Sequence, residues 1–139
     1  MNILIVEDNE PEQIIMQEAF KEAGVPCQLH MVRDGFEAIE FLNREGVHRI
    51  APKPSLIILD LNLPKKNGRE VLVEIKSNPK WKHIPILIFS NSESPQDICH
   101  CYSHNVNAYM NKPSGFQEFI DLAHVINVFW LKLVRYCAH

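Results

Sequence analysis

The chain has 139 residues, a formal net charge of −3 at pH 7 and 46% hydrophobic residues. That length is typical of one domain, and the hydrophobic fraction is sufficient for a buried core and argues against disorder. The slightly acidic balance gives no support for nucleic-acid binding, which usually requires a basic face. No apolar run approaches the roughly 20 residues of a membrane span. No basic segment with a cleavage site follows Met1, so we expect a cytoplasmic protein.

Short apolar runs predict five β-strands. They are Asn2–Val6, Cys27–Val32, Ser55–Leu59, Ile84–Phe89 and Asn107–Met110. The first, third and fourth runs are almost continuously aliphatic. That pattern is typical of parallel strands that are covered on both faces.

Helical patterns alternate with these strands. They cover Glu10–Ala23, Phe36–Arg44, Arg69–Ser77, Pro95–His104 and Phe116–Arg135, and the fourth has Ser94 as its expected N-cap. The segment Asn43–Pro54, with two prolines and four charged residues, predicts an exposed loop. The alternation predicts a doubly wound (βα)5 three-layer α/β sandwich with a five-stranded parallel sheet, formed by a single domain over 1–139. Right-handed crossovers would divide the helices between the two faces.

Polar side chains stand where the predicted strands end. Glu7 and Asp8 follow the first strand, Asp60 ends the third, Ser90 ends the fourth, and Lys112 follows the fifth. Ligands of open α/β sheets bind beyond these carboxyl ends, so we expect the five side chains to converge. Carboxylates packed together repel one another without a cation. Mg2+ suits them because it is satisfied by a few carboxylates, waters and a phosphate.

This set of residues indicates phosphoryl transfer. Asp60 can act as the nucleophile and form an acyl phosphate. Mg2+ and Lys112 can neutralise the charge that develops on the phosphoryl oxygens. Ser90 can donate a hydrogen bond to one of those oxygens.

The residues resemble the receiver domains of two-component response regulators of the CheY type over nearly the whole chain. The resemblance is carried by Val6-Glu7-Asp8-Asn9, by Leu59-Asp60-Leu61-Asn62-Leu63-Pro64 with Asn67-Gly68, by Ser90 and Tyr109, and by Lys112-Pro113. It implies that Asp60 is the phosphoacceptor and that Ser90 and Tyr109 form the switch pair. It also implies that Asn62 offers its backbone carbonyl to Mg2+, and that the bond between Lys112 and Pro113 is cis.

The function implied is a phospho-switch, which catalyses only its own phosphotransfer and dephosphorylation. A histidine kinase would donate the phosphoryl group, and a downstream protein would read the change on the face formed by the fourth helix, fifth strand and fifth helix. Within the family, the chain resembles the single-domain regulators of cyanobacterial phytochromes. The sequence after Asp60, the loop Asn43–Pro54 and Phe129-Trp130-Leu131 carry this likeness, so a phytochrome-type kinase is the expected partner.

The last helix has more apolar residues than a core face requires. At 3.6 residues per turn, one stripe predicts a core face that comprises Phe119, Ala123, Ile126, Trp130 and Leu133. Apolar residues outside that stripe predict a homodimer interface that comprises Leu122, Val125, Val128 and Phe129. The alternative is that the helix is wrapped more deeply by its own domain.

Other interpretations of the chain remain open at this point. It could be a receiver-like interaction module that works without phosphorylation. A phosphatase of the haloacid dehalogenase type requires a second Asp where Asn62 stands, and an acidic segment after the first strand disfavours an FMN phosphate. A zinc site at Cys99, Cys101 and His104 has poor ligand spacing, so we expect the four cysteines to be free thiols.

Overall fold

The chain forms one parallel sheet flanked by helices. The computed structural model describes residues 1–137, so the last two residues of the predicted domain lie outside this description. The strands are β1 (Asn2–Val6), β2 (Gln28–Val32), β3 (Leu56–Asp60), β4 (Ile86–Ser90) and β5 (Ala108–Asn111). They pair in parallel in the order β2-β1-β3-β4-β5. This confirms the predicted doubly wound α/β fold.

The helices begin where short polar side chains cap them. They are α1 (Glu10–Glu22), α2 (Gly35–Asn43), α3 (Gly68–Ser77), α4 (Pro95–Ser103) and α5 (Phe116–Val125). The N-caps Asn9, Asp34, Asn67 and Ser94 each accept a hydrogen bond from a backbone N–H three residues on. In the described part of the chain, no helix is both long and apolar enough to cross a bilayer.

Two hydrophobic cores lie on opposite faces of the sheet, because successive residues of each central strand point to opposite faces. In β1, Leu4 and Val6 join the core formed with α2, α3 and α4, whereas Ile3 and Ile5 join the core formed with α1 and α5. β3 and β4 alternate in the same way and are buried along their whole length. The central strands are therefore rigidly held, and their carboxyl ends are fixed relative to one another.

The loop after α2 is exposed over most of residues 43–50, but its end is not exposed as predicted, because Ala51 packs against the core and Pro54 is buried. α2 ends at Asn43, and Arg44, which was predicted to be helical, is instead a left-handed C-cap with φ 56°. A short 3-10 helix covers Gly46–His48, and Val47 within it is 90% exposed.

The last helix differs from its prediction. It is α-helical only to Val125, and a π-helical segment follows over Ile126–Leu133. Each turn of a π-helix closes through an i→i+5 hydrogen bond. A spacing of 3.6 residues therefore no longer predicts which side chains face the core in this segment. The predicted core residue Leu133 is consequently 66% exposed, whereas Asn127 is buried.

Candidate functional site

Three carboxylates converge at the carboxyl edge of the sheet. Glu7 and Asp8 follow β1 and Asp60 ends β3, and these two strands are direct neighbours. One oxygen from each residue lies within 4.8 Å of the others. Glu7 and Asp60 are buried and Asp8 is exposed, so the cluster is open to solvent on one side only. The three predicted carboxylate ligands are therefore brought together, whereas the fourth predicted ligand, the Asn62 carbonyl, is not part of this group.

Lys112 lies against this cluster and provides its positive charge. Its Nζ donates hydrogen bonds to Glu7 Oε1 at 2.9 Å and to Asp60 Oδ2 at 3.0 Å. Its backbone N–H donates to the Ser90 carbonyl at 3.0 Å, which fixes the lysine to the end of β4. The predicted phosphoacceptor and the predicted lysine are thus in direct contact.

A further carboxylate, not predicted from the sequence, also binds Lys112. Glu12 Oε2 accepts from Lys112 Nζ at 2.7 Å. Glu12 lies in the first turn of α1, where an acid is commonly explained by the helix dipole. The available signal was that α1 begins directly after β1, which places its first turn over the same edge of the sheet.

The charges of the site are unbalanced in a way that fits a divalent cation. Burial lowers the pKa of Lys112, but hydrogen bonds to Glu12 and Asp60 outweigh it, so the pKa lies above its ordinary value. One ammonium cannot neutralise all the surrounding carboxylates. Glu7 Oε2 is buried and has no hydrogen-bond partner. A buried carboxylate oxygen without a partner is costly, and a metal ion held by oxygen ligands would satisfy it.

The backbone around Asp60 is closely packed. The Asn62 N–H donates to Asp60 Oδ1 at 3.0 Å, which leaves Oδ2 for Lys112. The Gly68 N–H donates to the Leu61 carbonyl at 2.9 Å. A Cβ on Gly68 would lie 2.2 Å from the Asp60 carbonyl oxygen, so only glycine allows α3 to begin this close to β3. The role of the Asn62 carbonyl as a metal ligand stays a prediction.

The two predicted switch residues share one neighbour, Ser92. The Ser92 N–H donates to the buried Ser90 Oγ at 3.0 Å, and the Tyr109 hydroxyl donates to the Ser92 carbonyl at 2.9 Å. Ser92 therefore connects Ser90 to Tyr109, although it was not among the predicted site residues.

A charged pair between α3 and α4 extends this network. Ser92 Oγ donates to Asp97 Oδ2 at 2.6 Å, and Arg69 Nη2 donates to Asp97 Oδ1 at 2.6 Å. The hydrogen bond from Ser92, and then that from Arg69, hold the pKa of Asp97 below its ordinary value. The sequence carries no local signal for the contact between Arg69 and Asp97, because these residues lie 28 positions apart.

One expectation from the family is wrong. The peptide bond between Lys112 and Pro113 is trans, since the described residues contain no cis peptide bond. The physical reason is that trans is the lower-energy isomer of an X–Pro bond, by about 0.5–1 kcal/mol.

The predicted dimer residues form an exposed apolar surface in part. Val125, Val128 and Phe129 are each about half exposed or more. Leu122 is half-buried and packs against the core of its own domain.

The four cysteines predicted to be free are free, and Cys101 packs in the core. Within residues 1–137, the one group of three or more potential metal ligands is Glu7, Asp8 and Asp60, so the zinc alternative gains no support.

Comparison with known proteins agrees with the site. Residues 3–124 match the response regulator receiver domain family. Response regulator Rcp1 of Synechocystis sp. is 40% identical over 132 residues, which cover 95% of this chain and 90% of Rcp1. The phosphorylated cyanobacterial phytochrome response regulator RcpA is similar in structure, with a TM-score of 0.91, 42% identity and coverage of 99% of this chain and 98% of RcpA. The Mn2+-bound form of Rcp1 has a TM-score of 0.89 at 39% identity and covers 99% of both chains.

The chain belongs to the response regulator receiver domain family. It is a receiver of two-component signal transduction, related to the regulators Rcp1 and RcpA, and not a classical enzyme. Proteins of this family bind a divalent metal and work with a histidine kinase, and the acidic cluster of Glu7, Asp8 and Asp60 fits such a metal.

Proposed function

We propose that the chain is a phospho-switch in which Asp60 accepts a phosphoryl group with Mg2+ held by Glu7, Asp8, Asp60 and the Asn62 carbonyl. One observation carries the proposal. The carboxylate of Asp60 lies 3.0 Å from the Lys112 ammonium and within 4.8 Å of both other acids. A nucleophile, its charge-neutralising cation and a metal-binding set therefore occupy one small space.

The reaction is an in-line displacement at phosphorus. A carboxylate oxygen of Asp60 forms the new bond to phosphorus, and the bond from phosphorus to the donor's imidazole nitrogen breaks. Lys112 would donate hydrogen bonds to the phosphoryl oxygens as they gain charge. The metal, when bound, neutralises negative charge on the same oxygens. Water then forms a bond to phosphorus while the bond from phosphorus to the Asp60 oxygen breaks, which releases inorganic phosphate and returns Asp60 to a carboxylate. The protein would thus catalyse only its own phosphorylation and dephosphorylation.

The Ser92 contacts support a role for Ser90 and Tyr109 as the switch. Ser90 Oγ accepts a hydrogen bond from the Ser92 N–H, and its own hydroxyl hydrogen is available to a phosphoryl oxygen. Movement of Ser90 toward the phosphoryl group would change its contact with Ser92, to which Tyr109 is also bonded. The charge on Asp60 would thus alter the face formed by α4, β5 and α5.

The likeness to Rcp1 and RcpA supports a phytochrome-type histidine kinase as the phosphoryl donor. The exposed residues Val125, Val128 and Phe129, with Leu122 beside them, support a homodimer through the α4-β5-α5 face. We place the protein in the cytoplasm as a single receiver domain over 1–139. The phosphorylation-independent module is the weaker alternative, because the proximity of Asp60, the other two acids and Lys112 supports phosphorylation.

The test is to incubate the protein with Mg2+ and acetyl phosphate and to record its intact mass. We expect a gain of one phosphoryl group that is blocked by a chelator and absent in Asp60→Asn. Asp121→Asn, an equal change at an exposed acid of α5, is the matched control and should be phosphorylated normally. A folded wild-type protein that gains no phosphoryl group would refute the proposal.

A further inference from the structure

Glu12 contacts the site lysine but is not part of the acidic cluster. Its Oε2 lies 2.7 Å from Lys112 Nζ, the shortest of the three carboxylate contacts of that ammonium. Among the described residues, the oxygens close enough to share a metal ion come from Glu7, Asp8 and Asp60 alone. Glu12 is therefore a partner of Lys112 and not of the metal.

The position of Glu12 is fixed by the start of α1. Its backbone N–H donates to the side chain of the N-cap Asn9 at 3.0 Å. Its own side chain is only 29% exposed, which is low for a glutamate in the first turn of a helix. The carboxylate is thus held beside Lys112 by the fold.

The hydrogen bonds of Lys112 are fully used in the unphosphorylated protein. An ammonium has three donors, and those of Lys112 meet Glu7, Glu12 and Asp60. Glu7 and Asp60 would help to hold the metal, whereas the carboxylate of Glu12 lies outside that set. The contact of Glu12 with Lys112 would therefore persist beside a metal, and a phosphoryl group would share the charge of Lys112 with this carboxylate.

We propose that Glu12 is a positioning residue that competes with the phosphoryl group for Lys112 and so slows the loss of the phosphoryl group from Asp60. The inference rests on the proposed function, in which Lys112 neutralises the charge that develops on the phosphoryl oxygens during transfer. A neutral amide at position 12 would accept only a weaker hydrogen bond from the ammonium and would leave more of its charge to those oxygens.

The experiment uses the full chain, charged with acetyl phosphate at saturating Mg2+ and then separated from the donor. The phosphorylated fraction is followed over time by intact mass. We expect Glu12→Gln to shorten the half-life by roughly three- to tenfold, the range that corresponds to the net contribution of one typical hydrogen bond. Saturating Mg2+ prevents a change in metal affinity from producing the effect.

The matched control is Glu10→Gln. It removes the same charge from the same turn of α1, but Glu10 is 66% exposed and its recorded cationic contact is Arg33, at 4.0 Å. Its half-life should equal that of the wild type. An equal shortening in this variant would overturn the inference, because net charge alone would then account for the effect.

Glu12→Asp separates contact from charge. The shorter side chain keeps the charge but withdraws the carboxylate from Lys112, so competition by contact predicts a shorter half-life here too. A wild-type half-life in Glu12→Asp, or an unchanged or longer half-life in Glu12→Gln, would overturn the inference. Urea midpoints of all variants establish that each is folded. A wild-type protein that takes up no phosphoryl group would overturn the proposed function itself, and this inference with it.

Discussion

The substitution Gly68→Ala tests whether α3 must begin in contact with the backbone that carries Asp60. A Cβ at position 68 would lie 2.2 Å from the Asp60 carbonyl oxygen and 2.6 Å from the Leu61 Cα. Both are main-chain atoms at the end of a buried strand, and neither can turn aside as a side chain can. The helix or the strand end must therefore move.

The magnitude follows from opposing contributions. Overpacking of this kind typically costs about 1–3 kcal/mol and occasionally more. Replacing glycine also reduces the entropy of the unfolded chain, which returns about 0.4–1 kcal/mol. Because the contacts are with fixed backbone, we expect the free energy of unfolding to fall by about 2 kcal/mol.

Urea unfolding, followed by circular dichroism, measures this loss. With a slope of roughly 1–3 kcal/mol per molar urea, the midpoint should fall by about 1 M. The matched control is Gly115→Ala at the N-cap of α5, where an added Cβ would meet no atom within 4 Å. It should change the stability by less than about 1 kcal/mol.

The same displacement should move Asp60 relative to Lys112. Uptake of phosphoryl from acetyl phosphate by Gly68→Ala should therefore be slower than in the wild type, even where both are fully folded. Wild-type stability and uptake in Gly68→Ala, or an equal loss in Gly115→Ala, would refute the argument from close approach.

Further predictions concern the surface and the charged network. Val125→Glu places a charge on the exposed apolar face of α5 and should dissociate the proposed homodimer in analytical ultracentrifugation. Val47→Glu on the loop after α2, at a residue 90% exposed, should leave the association unchanged. Asp97→Asn should lower the urea midpoint near neutral pH. The pKa of Asp97 is lower in the folded than in the unfolded protein, so its ionised carboxylate adds to the free energy of unfolding. This stabilisation is complete above the unfolded pKa near 3.9 and is lost as the pH falls through the folded pKa. An equal deficit of the variant at pH 7 and at pH 3 would contradict this account.

The strands and the main site could be predicted because their signals are local. The aliphatic runs of β1, β3 and β4 identify strands that are buried on both faces. Once these strands are parallel, the topology alone brings the residues after them to one edge. Asp60 and Lys112 could therefore be placed together from the sequence, although 52 positions separate them along the chain.

Other features depend on contacts that no local pattern contains. Glu12 reaches Lys112 only because α1 begins directly after β1, and its residue type alone suits an ordinary helix start. The π-helical segment at Ile126–Leu133 changes which residues face the core, and an apolar periodicity of 3.6 does not anticipate that change. Asn127 is buried there for the same reason.

The start of α3 links the proposed phosphorylation site to the proposed output face by two adjacent residues. Gly68 lies against the backbone of Asp60, and the next residue, Arg69, binds Asp97 in the first turn of α4. Asp97 in turn accepts from Ser92, which contacts both Ser90 and Tyr109. A switch requires an element that both sites can bias. The segment between Ser90 and Asp97 meets that requirement, because its hydrogen bonds are anchored at Ser90 on one side and at Arg69 on the other. A phosphoryl group that attracts Ser90 would therefore act against the ion pair of Arg69 with Asp97, which fixes the start of α4. The relative strength of these two interactions would determine how far phosphorylation shifts the α4-β5-α5 face.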